Sequence, residues 1–385
     1  MKKNRTEHFL VTLSVFLILI LLSSLPVFAE PKLTKESIPP EISGDMRHQT
    51  EMLFSKNPLD RIQGAITLGK MGRRAGAASP YLISLFDDSE TVWYAPGNEF
   101  TSPAHEAAKA VVKIKDLRYL NLITAALKDK NPEARERAAE VLGKLKDHRA
   151  VQPLTLALKD ENAEVREAAV EALGEFKDSR TLDALVGSLK DSSPEVREAV
   201  VEVLKKMKDH RAVQPLISAL KDENPEVREA ALEALGEFKD PSAVEAINPM
   251  LKDPAANVRE KAAEVLGKLK DPRSVTGLTA ALKDAAADVR SQAAKALGEI
   301  RNPQIIDHLI ALLKEENKKV REAAREALKK FKNQAVEPLI GALKDANARV
   351  RYEAGKVLKE ITGKKYKDDH SRWSEWWNRN KATAK

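Results

Sequence analysis

Cysteine is absent from the 385 residues. Its absence excludes disulfides, thiolate metal sites, a cysteine nucleophile and a lipidated cysteine near the N-terminus, and it suits a chain that enters an oxidising compartment without oxidative folding. Aromatic residues are scarce, at 5%, whereas 32% of residues are charged and 43% hydrophobic. A core of Ala, Leu and Val beneath a dense charged surface favours packed helices over a β-sandwich. An excess of one charge sign is also lacking: 65 Lys and Arg stand against 58 Asp and Glu, a net +7. Part of that excess sits in residues 364–385, so no extended basic footprint for nucleic acid exists. No Ser/His/Asp grouping, paired-carboxylate motif or Gly-rich phosphate loop stands in a distinctive context, so no cofactor and no catalytic residue is expected.

The long apolar run is at the start. Lys2, Lys3 and Arg5 precede the run from Phe9 to Leu25, followed by Pro26-Val27-Phe28-Ala29. This order of basic, apolar and small-residue segments predicts a signal peptide over residues 1–29, cleaved after Ala29. The alternative is a membrane anchor over residues 9–25, marginal for a span of roughly 20 residues. Either way the body of the protein is expected to be periplasmic or secreted. Pro31, Pro39, Pro40 and Gly44 make residues 30–49 read as a linker.

A fixed period governs the remainder. Arg135, Arg166, Arg197, Arg228, Arg259, Arg290 and Arg321 follow one another at 31-residue intervals, and Arg351 follows after 30. His105 and, more weakly, Arg61 occupy the equivalent places upstream. Counting from the arginine, positions −1, +3, +6, +7 and +10 are apolar and form one stripe of a helix. Apolar positions −15, −12 and −8, such as Val213, Leu216 and Leu220, mark a preceding helix. Each unit is therefore helix–turn–helix and buries its apolar faces by stacking on its neighbours. Glycines at +8 (Gly143, Gly174, Gly236, Gly267, Gly298) predict close helix approach. Position +9 alternates Lys144, Glu175, Lys206, Glu237, Lys268 and Glu299, part of a 62-residue super-period.

With these residues in place, residues 50–363 resemble the HEAT-repeat family, in particular the short repeats named after phycobilisome-lyase subunits. The resemblance implies an all-α fold, a right-handed α–α superhelix (a HEAT-repeat solenoid) of about ten repeats. It also implies a ladder of turn Asp and second-helix Arg six residues apart, Asp160/Arg166, Asp191/Arg197, Asp222/Arg228 and Asp253/Arg259, with a structural role. In the family the second helices line the concave surface. Glu136/Glu140, Glu167/Glu171, Glu198/Glu202, Glu229/Glu233 and Glu260/Glu264 share one face of those helices. They would give an acidic ridge for a basic or amine-bearing partner, or simply a solvated face.

Two features depart from the repeat. An insert, residues 88–103, carries Trp93, Tyr94 and Phe100 in an aromatic-poor chain. It suits a partner-binding loop, or a cover for the N-terminal end of the stack. Near the other end, Trp373, Trp376 and Trp377 form one face of a short helix in the basic, Trp-rich tail 364–385 and suit a cap over the last repeat.

The expected function is an exported interaction scaffold for a protein partner, with no metal, no nucleic acid, membrane contact only through a retained N-terminus, and a monomeric state. The alternatives are an enzyme or enzyme subunit resembling deoxyhypusine hydroxylase or bilin lyases, or a membrane-anchored structural component of the envelope. Hydroxylase-type repeats need several His-Glu dyads for two irons, and His105-Glu106 is the one dyad in this chain.

Overall fold

The computed structural model describes residues 33–381. The signal or anchor segment and its cleavage site therefore lie outside the described residues. No helix among the described residues is long and apolar enough to cross a membrane. The chain forms two compact units: one runs to Leu85 and adds Glu90–Ile114, and the other comprises Phe86–Ser89 and everything from Lys115 onward.

The first unit holds two helix pairs, α1 (Gly44–Met52) with α2 (Pro58–Met71), and α3 (Ser79–Ile83) with α4 (Pro103–Ile114). Residues 30–49 are not simply a linker. Within them fold a 3-10 turn, Lys35–Ser37, and the start of α1. Ile38 and Ile42 are buried there, and the Tyr81 hydroxyl donates to the Ser37 carbonyl at 2.8 Å. Prolines at 39 and 40 suggested extension, but two isoleucines pin the segment to the core.

The second unit holds eight pairs. Its first helices are α5 (Leu120–Ala126), α7 (Val151–Ala157), α9 (Leu182–Gly187), α11 (Val213–Ala219), α13 (Val244–Ile247), α15 (Val275–Ala281), α17 (Ile306–Ala311) and α19 (Val336–Ala342). The second helices are α6 (Pro132–Leu145), α8 (Ala163–Phe176), α10 (Pro194–Met207), α12 (Pro225–Phe238), α14 (Ala256–Leu269), α16 (Ala287–Ile300), α18 (Lys318–Lys330) and α20 (Ala348–Thr362). A final helix, α21 (His370–Asn380), follows. Ten pairs are thus described, as the ten sequence anchors imply.

Each element has a local cause. Asn131, Asn162, Ser193 and Asn224 cap their helices by accepting N–H groups of the first turn, worth about 1 kcal/mol each. The apolar stripe goes inward: Val227, Ala231, Ala234 and Leu235 are fully buried, as is Leu216 of the preceding helix. A buried leucine contributes roughly 1.5–3 kcal/mol. The +8 glycines act at contacts between repeats. A Cβ on Gly143, Gly267 or Gly298 would stand 2.7, 2.8 or 2.7 Å from the Cα of Ala172, Ala296 or Ala327. Opposite Gly174 the space is filled by Val203.

The arginine ladder differs from the expected one. Arg197 does not pair with Asp191, six residues before it. Its Nη1 donates to the Asp191 carbonyl at 2.8 Å, while Nε and Nη2 grip the Asp222 carboxylate of the next repeat, both at 2.7 Å. The same fork joins Arg135 to Asp160, Arg166 to Asp191, Arg228 to Asp253 and Arg259 to Asp284. Each aspartate also accepts a backbone N–H two residues on, Asn224 for Asp222 at 2.9 Å. Burial pushes the Asp222 carboxyl up, but the Arg197 guanidinium and the Asn224 N–H outweigh it, so the net direction is down. The ladder therefore ties each turn to the next repeat. Arg290 meets Glu315 at 3.1 Å, and Arg321 lies 3.9 Å from Glu353 rather than continuing the ladder to Asp345.

Candidate functional site

Within the first unit, the insert folds as a two-stranded antiparallel hairpin, β1 (Val92–Tyr94) and β2 (Glu99–Thr101). Its register pairs Val92 with Thr101, Trp93 with Phe100, and Tyr94 with Glu99. Directly opposed residues share a face, so alternation sorts the aromatics. Trp93 and Phe100 point outward, 47% and 70% exposed, in edge-to-face contact at 5.0 Å. Tyr94 points inward, is 9% exposed, and donates to Gln63 at 2.6 Å. Tyr94 is therefore withdrawn as a partner-binding residue, because its ring and hydroxyl are used in holding the hairpin.

Two further ties hold the hairpin's inner side. The Thr101 hydroxyl donates to the buried Glu106 carboxylate at 2.9 Å, and Arg61 pairs with Glu90 at 3.1 Å. Glu106 also receives Lys109 at 3.1 Å, so the carboxylate of the His-Glu dyad is occupied by structural contacts. Rotamer-poor aromatics on a fixed hairpin lose little entropy when bound.

The second-helix face carries a more varied charge pattern than the expected ridge. Lys205 bridges Glu202 at 2.7 Å and Glu233 at 3.0 Å, and Asn257 donates to Glu229 at 2.7 Å. These three glutamates are therefore already engaged within the repeat array. Among the described residues, Glu167, Glu171 and Glu198 meet no cation within ion-pair distance. Burial, reinforced by Glu171, Glu195, Glu164 and Glu198, pushes the Glu167 carboxyl up. The acidic patch thus narrows to α8 and α10.

Farther along, the second helices α12, α14, α16 and α18 line a groove of about 960 Å³. Its lining includes Gly236 and Gly267, with Lys208, Lys239, Lys295, Glu237, Glu264 and Glu299 among the charged groups. Lys270 meets Glu299 at 2.9 Å and Lys268 meets Glu264 at 2.7 Å. Hydrogen bonds from Lys330 and Lys270 hold the Glu299 carboxyl down at about 2. Lys208, Lys239 and Lys295 have no carboxylate within ion-pair distance among the described residues.

The sequence reading missed the conformation of the lysines that end the second helices. Lys146, Lys177, Lys208, Lys239 and Lys270 all have φ between 49° and 55°. A left-handed conformation costs a non-glycine residue about 1–2 kcal/mol. A cation at a helix C-terminus returns about 0.3–1 kcal/mol. Exposed ion pairs to Glu175 and Glu299 add at most about 1 kcal/mol for Lys146 and Lys270. Lys208 and Lys239 lack even that, so local energetics favour glycine there. The signal was in the sequence, as a basic residue at position +11 of the repeats anchored from Arg135 to Arg321.

At the C-terminal end, Trp373 is fully buried and donates to the Lys367 carbonyl at 2.9 Å. Trp377 is also buried, and Trp376 lies between the two at the surface edge. Among the described residues, no group of three or more His, Asp or Glu is placed to share a metal ion.

The fold and these surfaces define a tandem α-repeat protein. A family model for HEAT repeats matches residues 97–161, 152–223, 213–298 and 275–359, well over half of the chain, and the chain belongs to the HEAT-repeat family. Among solved structures it is similar to Kap95p with RanGDP, at 14% identity and a TM-score of 0.59, over 86% of this chain and 52% of that one. It is likewise similar to Kap121p bound to the extreme C-terminus of the phosphatase Cdc14p, at 16% identity and a TM-score of 0.58, over 82% of this chain and 41% of that one. Both likenesses show the fold alone. Human deoxyhypusine hydroxylase in complex with glycerol matches at 24% identity over 69% of this chain and 99% of that one, with a TM-score of 0.30, too low to carry an argument. No curated protein matches the chain.

Proposed function

We propose that this chain is an exported, non-catalytic scaffold that holds a protein partner, with the Trp93–Phe100 hairpin as its anchor. The observation that carries this reading is a pair of exposed aromatics fixed from behind by Tyr94, Thr101 and Arg61. Large aromatics that are both exposed and held rigid suit the anchoring positions of interfaces. A HEAT-repeat array supports the reading, since the structurally similar Kap95p and Kap121p are seen with protein partners. The unpaired glutamates of α8 and α10 suit a basic segment of that partner. Export rests on the order of residues 1–29.

The test is affinity capture from the envelope fraction with wild type and a Trp93→Ala/Phe100→Ala variant. Equal capture of the same proteins by both would remove the hairpin from the site. Intact mass of the mature protein checks export: a species starting at Glu30 supports cleavage, and retention of residues 1–29 supports the anchored form. Stoichiometric iron in the purified protein would overturn the non-catalytic reading.

A further inference from the structure

We propose that the groove running from Lys208, just after α10, along α12, α14, α16 and α18 is a second binding site, for an extended acidic peptide. Three lysines facing it, Lys208, Lys239 and Lys295, have no carboxylate partner within the array, whereas Lys268 and Lys270 do. Lys208 and Lys239 are held at φ of 54° and 52°, where glycine would be less strained. The groove encloses about 960 Å³, room for several residues of an extended chain.

Spacing selects the ligand. Adjacent second helices stand about 8–10 Å apart, and an extended chain advances about 3.3 Å per residue. Carboxylates at i and i+3 therefore reach Lys208 and Lys239 on successive repeats. Lys295 lies two repeats beyond Lys239 and six residues nearer its helix N-terminus, about 20 Å away by these spacings, which corresponds to i+9. Glu237, Glu264 and Glu299 line the same groove. A uniform polyanion would set charge against all three, while a peptide places neutral or basic residues opposite them. The occupant is therefore a peptide with spaced acids, not a polyphosphate or nucleic acid backbone.

The test titrates the full chain with a labelled peptide of Glu-Gly-Ser triplets, with a peptide of the same composition whose glutamates are adjacent, and with inorganic polyphosphate. The triplet peptide is expected to bind best, weakening as salt rises from roughly 50 to 200 mM. Lys208→Gly/Lys239→Gly is expected to weaken that binding about tenfold while raising the melting temperature, because strain is relieved. That pair of opposite signs separates a site from general destabilisation. Trp93→Ala/Phe100→Ala is expected to bind the peptide as wild type does, so failure of the hairpin reading leaves this one standing. Absence of binding at about 1 mM peptide, equal binding by the glycine variant, or tighter binding of polyphosphate with the same losses would each overturn the proposal.

Discussion

Arg197 serves two repeats at once, and its replacement is the sharpest test at the residue scale. Arg197→Met leaves Asp222 with its Asn224 N–H but no cation, and leaves the Asp191 carbonyl without its donor. A pair this buried, with Arg197 5% exposed, is expected to cost about 3 kcal/mol, measured as a lowered urea midpoint. Arg197→Lys restores little, because an ammonium cannot reproduce the fork. Arg351→Met removes bonds to the Asp345 and Ala346 carbonyls alone and is expected to cost about 1 kcal/mol. Equal losses at both sites would mean that the inter-repeat carboxylates contribute nothing. Acid provides a second check. Hydrogen bonds from Arg149, Arg180 and Arg211, backed by backbone N–H groups, hold Asp147, Asp178 and Asp209 at about 2. Their folded pKa lies below the unfolded value of roughly 3.9, so this stabilisation is complete above about pH 4 and is lost as pH falls toward about 2. A urea midpoint flat across that window would contradict it. The register of Asp and Arg was legible in the sequence, but the partner was not. Side chains on a first helical turn lean back toward the N-terminus, where the neighbouring repeat's turn lies as close as their own.

Among the helices and strands, small residues mark where backbones meet. Gly267→Val must displace the Ala296 backbone and is expected to cost about 1–3 kcal/mol by overpacking. Gly341→Ala, with nothing within 4 Å of the new Cβ, is expected to be neutral or slightly stabilising by calorimetry. A loss at Gly341 matching that at Gly267 would argue against close approach as the cause. The glycine period predicted these contacts, because a missing side chain on a helix has few other uses. The hairpin was less legible. Its length stood out as a break in the 31-residue register, but strand alternation alone does not say which face turns inward. Gln63 and Glu106 decide that, and both lie outside the insert.

For the repeat array of the second unit, the arginine ladder and the terminal helix together predict where unfolding begins. Nearest-neighbour coupling governs such arrays. It is reinforced by forked ion pairs from Arg135 through Arg259, weakens at the single Arg290–Glu315 contact, and does not continue from Arg321 to Asp345. The last pair, α19 and α20, therefore depends more heavily on the cap. The segment after Gly363 lies against α20, where a Cβ on Gly355 would meet the Lys367 carbonyl at 2.3 Å. Trp373 seals it with no exposed surface. Trp373→Ala removes a fully buried indole and is expected to cost about 3–5 kcal/mol, confined to the neighbouring repeats. Native-state hydrogen exchange reads this directly. Amides of α19 and α20 should lose protection while those of α8, α10 and α12, between intact forks, keep theirs. A uniform loss along the array would mean that it unfolds as one cooperative block, in which neither the broken ladder nor the cap sets the weak end.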